Sequence, residues 1–239
     1  ARGASPVELA GGYGLVAGNP ALHVDLARLA PDSRLLLVLA AAEPLGDPAR
    51  VWRAAAALGL GAGAADQLEV EELLSFGSWV TFRDPRLRWA VYGLASAAER
   101  RRVHAALAAA TDRGTDPDRH VWHLAHALPG PDDAVSDALA DSAATARGRG
   151  GLPAEAAFLE RAALCATEPA PRVERAIAAA ETYRSIGAVE TATRLLAIAE
   201  RGPVDAVSGA RLRQVWARMA FDATRGRVAV AQLLDSAED

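Results

Sequence analysis

The chain has no lysine; all 26 of its basic residues are arginine. A Walker A loop, a Schiff base and a lysine nucleophile each need that ammonium group, so these chemistries are excluded for the 239 residues at hand. Cysteine is almost missing as well. Cys165 stands alone, which excludes an intrachain disulfide and a cysteine-based zinc site, and it reads as a small buried thiol. That usage fits a reducing cytoplasm. No long apolar run is present either. The longest, Ala54 to Ala65, is built of Ala, Gly and Leu and is far shorter than the ~20 residues a membrane span needs. No charged leader precedes an apolar core at the start. A cytoplasmic protein with no membrane partner is expected. Basic charge is not in excess: 30 acids against 26 arginines leave a formal charge of −4. With no Arg-dense helix and no interleaved aromatics, the segment is not expected to grip nucleic acid by itself.

What the chain does contain is ordinary globular composition, 51% hydrophobic and 23% charged, at a length that suits one large domain or two smaller ones. Alanine makes up about a quarter of it and β-branched residues are sparse, so propensity points to helix nearly throughout. The bias toward Ala and Arg suggests a GC-rich bacterial genome. Asp47-Pro48, Asp84-Pro85 and Asp116-Pro117 each place Asp at an N-cap and Pro at the first helical position. Ser96 and Glu99 have capping-box spacing. Helices are expected over 33–42, 48–58, 64–74, 85–94 and 97–110. Only Leu74 to Phe82 reads as sheet, alternating around a Gly-containing turn as a small hairpin. Helices followed by a hairpin and a further helix make residues 33–112 a winged-helix-like domain. Its groove-facing candidate, 64–74, carries four acids and no Arg, which a phosphate backbone would repel. A packing and signalling role is therefore expected of it.

From residue 113 the pattern becomes paired helices with short Gly/Pro breaks, expected at 118–128, 132–148, 153–166, 171–185, 188–200, 205–223 and 227–237. Gly151, Gly187 and Gly226 recur at a spacing typical of α-solenoids, each followed by Ala five positions on and Leu eight positions on. The middle unit, with Tyr183, Gly187, Ala192, Leu196, Ala199 and Pro203, is the best match to a tetratricopeptide (TPR) unit. The fold class expected is all-α: a winged-helix-like domain with one small β-hairpin, then a TPR-like α-solenoid over 113–239.

Three stretches, Ser5 to Leu15, Leu35 to Pro48 and Val80 to Tyr92, together resemble the large ATP-binding LuxR-type transcriptional regulators. Ala97 to His104, Asp116 to His123 and Arg149 to Ala157 extend the resemblance over nearly the whole chain. It implies a parent protein with an upstream STAND-type ATPase module, a winged helix, a TPR-like sensor region and a terminal helix-turn-helix that binds promoters. On that basis residues 1–32 are a linker from the missing ATPase module. The chain itself is expected to hold no cofactor, ATP belonging to the missing module, and to meet DNA only through the missing terminal domain. Two positions depart from the pattern. The family's Phe-Arg-His-Pro motif has Asp84 in place of His, so Asp84 is either an altered nucleotide-sensing position or simply the N-cap of the 85–94 helix. Gly18-Asn19-Pro20 resembles the family's Gly-x-Pro sensor, but the segment that normally follows that motif here precedes it.

His120, His123 and His126 fall at i, i+3 and i+6 of one expected helix, so adjacent pairs share a face but the three cannot close on one small ion without a ligand from elsewhere. They read as surface or interhelix residues, and no metal site is expected. Asp132 and Asp133 suit the positive end of a helix, and Asp137 and Asp141 read as a solvated face. No Gly-x-Ser-x-Gly is present and Cys165 has no nearby His, so no catalytic site is expected. Trp122, Tyr183, Trp216 and Phe221 are large groups in a small-residue solenoid. They are either core residues or, with Arg184, Arg211, Arg213 and Arg218, an effector or partner surface. Trp122, Tyr183, Arg184, Arg213 and Trp216 are the candidate ligand-binding set. The reading is a non-enzymatic regulatory fragment, open to homo-oligomerisation. A free-standing TPR scaffold and a helical enzyme are its rivals.

Overall fold

A computed structural model describes residues 28–238, with side chains to residue 223. The Gly18-Asn19-Pro20 segment and the rest of the expected linker lie outside the described residues. The described chain is mostly helical, with eleven helices and one two-stranded antiparallel sheet.

Helix α1 (Pro31–Ala42) is apolar around nearly its whole circumference, and Leu36, Leu37, Val38 and Leu39 are fully buried. A helix patterned in this way belongs at the centre of a core. Helices α2 (Pro48–Ala57), α3 (Gly63–Val70), α4 (Pro85–Leu94) and α5 (Ala97–Ala110) pack around it. Its exposed C-terminal carbonyls are claimed by one side chain of α4. Arg88 donates to the carbonyls of Ala40, Ala41, Glu43 and Pro44, so a cation sits on the negative end of the helix dipole.

The sheet pairs β1 (Leu74–Phe76) with β2 (Val80–Phe82) in the register Leu74 to Phe82 and Phe76 to Val80. Val80 also donates its N–H to the carbonyl of Gly46 at 2.8 Å. That approach requires glycine. Gly46 has φ +68°, and a Cβ there would lie 2.2 Å from the Val80 oxygen.

Helices α6 (Pro117–Ala127), α7 (Asp133–Gly148), α8 (Leu152–Cys165), α9 (Pro169–Ser185), α10 (Val189–Ala199) and α11 (Ala206–Glu238) follow, α6 to α10 packed mainly on their sequence neighbours and α11 mainly on α9. Small residues let them approach: Ala154, Ala157 and Ala162 in one cluster, Ala176, Ala180, Ala192 and Ala199 in the next. Three buried clusters result, spanning residues 29–107, 121–165 and 163–219.

Several expected elements change. The 64–74 helix stops at Val70, and Glu72 takes φ +54° on the way into β1. The expected break between 205–223 and 227–237 is absent, the backbone staying helical from Ala206 to Glu238 through Gly226. One glycine in a helix costs only ~1 kcal/mol relative to Ala, too little to force a stop. Of the spaced glycines, Gly187 takes a left-handed turn at φ +83°, while in the earlier unit that geometry belongs to Gly150 rather than Gly151. Cys165 is buried and free.

Candidate functional site

Two sets of buried polar groups meet where α6 packs on the N-terminal helices. The first is ionic. Glu43, just past α1, is fully buried and accepts from Arg50 of α2 at 3.0 Å. Arg119 of α6, 5% exposed, lies 3.7 Å from Glu43 and 3.3 Å from Asp116, and Arg50 lies 3.4 Å from Asp116. Burial pushes the Glu43 carboxyl above its usual range, against the pull of Arg50. Asp116 was expected as an N-cap and occupies that position, yet its side chain makes no capping bond. It faces the two buried guanidiniums instead, whose need for a counter-charge outweighs one exposed amide. Asp47 and Asp84 do cap their helices, and Ser96 with Glu99 forms the expected capping box.

The second set is aromatic. The Tyr92 hydroxyl of α4 lies 2.7 Å from Nε2 of His104 on α5, and Nδ1 of His104 lies 2.9 Å from Nδ1 of His123 on α6. At that distance one Nδ1 must carry the proton and the other the lone pair, so the accepting ring is neutral and the protonation of the two rings is linked. His126 stacks on His104 with centroids 4.8 Å apart, and Trp122 lies 4.7 Å from His126. His123 and His126 each keep an Nε2 that is shut off from solvent and has no hydrogen-bond partner among the described residues. Burial lowers the pKa of His104 to about 3 and holds His123 and His126 well below the usual imidazole range, with Arg100, Arg161 and neighbouring histidines adding repulsion. Beside this cluster an open cleft of about 250 Å³ is lined by Trp89, Tyr92, Gly93, Arg100 and His126.

The residues singled out from sequence fall in three places. Trp122 is 3% exposed, packed edge-on against Phe158 and tilted against His126. Tyr183 donates its hydroxyl to Glu160 at 2.7 Å, Arg184 pairs with Asp222, and the Trp216 indole donates to Glu200 at 2.8 Å. Tyr183 and Trp216 both pack against the last buried cluster, on α9 and α11, so they share a region that Trp122 does not. Arg213 is exposed on α11, while Arg211 and Arg218 both face Glu181. Phe221 is 60% exposed. Asp84 accepts the Arg86 N–H at 2.9 Å and is clasped by the Arg86 guanidinium, which holds its carboxyl below the usual range.

His120 directs Nδ1 at the Ala108 carbonyl, away from the other two histidines of its helix, and no metal-holding cluster is found among the described residues. Asp132 caps α7, Asp133 accepts from Thr167, and Asp137 pairs with Arg175. Sequence reasoning did not find His104, Tyr92, Trp89 or Arg100. The available signal was two i, i+3 aromatic pairs on neighbouring helices, Trp89 with Tyr92 and His123 with His126.

Compared with protein-family models, curated proteins and solved structures, the chain matches none of them. Among the described residues no helix is long and apolar enough to cross a membrane.

Proposed function

We propose that the chain is a regulatory relay from the middle of a LuxR-type large ATP-binding regulator. Residues 33–112 act as a winged-helix-like lever and residues 113–239 as a TPR-like sensor, with ATP and promoter DNA left to other parts of the parent. The observation that carries the reading is the seam at α6. It joins the two halves through a buried ion network and a histidine cluster rather than through apolar contact alone. Buried polar pairings have discrete alternatives: a proton or a charge partner is in place or it is not. A joint built this way can hold two arrangements, which relaying a signal requires.

The test is the gene on either side. A P-loop upstream and a helix-turn-helix downstream support the relay, and a gene without them overturns it. The rival scaffold reading has one observation of its own. Val189 of α10 and Val207 and Phe221 of α11 are 52%, 68% and 60% exposed, as a partner-binding helical surface would be.

A further inference from the structure

We propose that the cleft between α4, α5 and α6 binds a small aromatic carboxylate. Its ring lies against Trp89, Tyr92 and His126, and its carboxylate pairs with Arg100 and offers His126 the partner that ring lacks. The proposal rests on the relay reading only in placing the effector site at the seam.

Three observations lead to this ligand class. First, three of the five lining residues are aromatic, and the fourth wall is Gly93, where an added Cβ would meet no atom within 4 Å. The space of about 250 Å³ suits a single-ring acid. Second, Arg100 has no carboxylate partner among the described residues. Its guanidinium sits 5.7 Å from the Tyr92 ring centroid and reaches the Tyr92 carbonyl only at 3.5 Å. Third, His126 is a cleft residue whose Nε2 is buried without a partner, a costly state in a folded protein.

The charges around the cluster complete the case. His126 feels His104 and Arg100 from α5, His123 on its own helix and Arg161 from α8. His123 in turn feels Arg50 of α2 and His120, and the Tyr92 hydroxyl of α4 lies 2.7 Å from Nε2 of His104. The charged groups that act on these rings are Arg50, Arg100 and Arg161, and the seam's carboxylates, Glu43 and Asp116, are taken up by Arg50 and Arg119, so among the described residues the histidine cluster has no anion of its own. A bound carboxylate supplies it and thereby allows His126 to take up the proton that burial and the arginines otherwise exclude. Binding is then coupled to protonation, with affinity rising as pH falls.

The experiment uses the whole chain, benzoate as the probe and benzamide as its uncharged isostere, followed by calorimetry at pH 7.5, 6.5 and 5.5. Benzoate should bind, at least ~10-fold tighter than benzamide, and its affinity should rise by up to ~10-fold per pH unit on acidification. Arg100→Gln should weaken benzoate by ~10-fold or more. Gly93→Leu adds bulk to the cleft wall at a position where a Cβ meets no atom within 4 Å, so it should keep the circular dichroism and Tm of the parent chain while abolishing binding. Absence of benzoate binding to the folded chain, equal affinity for benzamide, or undiminished binding to Gly93→Leu overturns the site. Amide exchange with and without benzoate separates the two ideas. Protection that spreads from the cleft into α7 and α8 supports the relay. Protection confined to α4, α5 and α6 overturns the relay and leaves the site standing.

Discussion

At the scale of single residues, two glycines with the same backbone geometry separate strain from steric contact. Gly46 and Gly59 have φ +68° and +76°, but only Gly46 lies against another backbone, the Val80 carbonyl. Alanine at Gly59 should therefore cost about 1–2 kcal/mol, the penalty of the left-handed region alone. Alanine at Gly46 adds the 2.2 Å overlap and should cost clearly more, because the hairpin must move off the α1–α2 turn. Urea unfolding of the two variants checks this, and equal losses would mean that the hairpin moves freely. Glu43 is the other decisive residue. It is the fully buried counter-charge of Arg50 and Arg119, so Glu43→Ala leaves two guanidiniums without it and should cost roughly 3–5 kcal/mol. Glu43→Gln keeps hydrogen-bond acceptance and should cost less by the same measurement.

At the scale of elements, packing in the C-terminal half is set by alanine. Ala192 is fully buried between α9 and α10, next to Ala176, Ala180, Leu195 and Leu196. Leucine there adds three carbons to a fully buried site and should cost roughly 1–3 kcal/mol by overpacking, whereas Glu190→Leu on the exposed face should stay within about 0.5 kcal/mol. Hydrogen exchange on Ala192→Leu should quicken in α9, α10 and α11 and leave α1 to α5 protected. Uniform loss of protection would mean that the whole molecule unfolds as one unit.

Much of this layer could be read from the sequence. Asp-Pro pairs and the Ser96–Glu99 box mark helix starts through local geometry, and those starts are observed. Endings were harder. Glu72 turns left-handed without the usual glycine, and Gly226 does not end α11, because neighbouring structure outweighs the ~1 kcal/mol preferences of single residues. The seam was harder still. His104 and His123 are 19 positions apart, and no local period reveals that α5 and α6 bring their Nδ1 atoms within 2.9 Å.

For the whole molecule, the missing lysine and the acidic balance lead to a paired expectation. Calorimetry with ATP and ADP should detect no tight binding, since no phosphate-cradling loop with its lysine can form. Gel shifts at low salt should show weak, sequence-independent retention of DNA at most, because α3 presents Asp66 and Glu69 and no arginine. Retention that depends on DNA sequence and is lost on replacing Arg83 or Arg86 would overturn this.

The seam should also make the fold sensitive to mild acid. His104, His123 and His126 remain neutral when folded, their pKa values lying far below the 6.5 they would have in an unfolded chain. As pH falls below 6.5 the unfolded state takes up protons that the native state refuses, so stability declines, approaching ~1.4 kcal/mol per pH unit for each ring. Carboxylates held low in the folded state, Glu99 at about 2 and Asp84, Asp133 and Asp205 below 3.8, exert their effect below pH 4.5. Between pH 6.5 and 4.5 the histidines therefore act mainly against Glu43 and Asp116, whose raised values favour the fold as pH falls. The difference between variants isolates the rings. His123→Gln removes one excluded proton and keeps a hydrogen-bonding side chain toward His104. Plotted against pH, its unfolding free energy should fall less steeply than that of the parent chain by close to one proton, or ~1.4 kcal/mol per unit. Identical slopes would show that His123 gains its proton without disturbing the fold, and that the histidine cluster is not what ties α6 to α4 and α5.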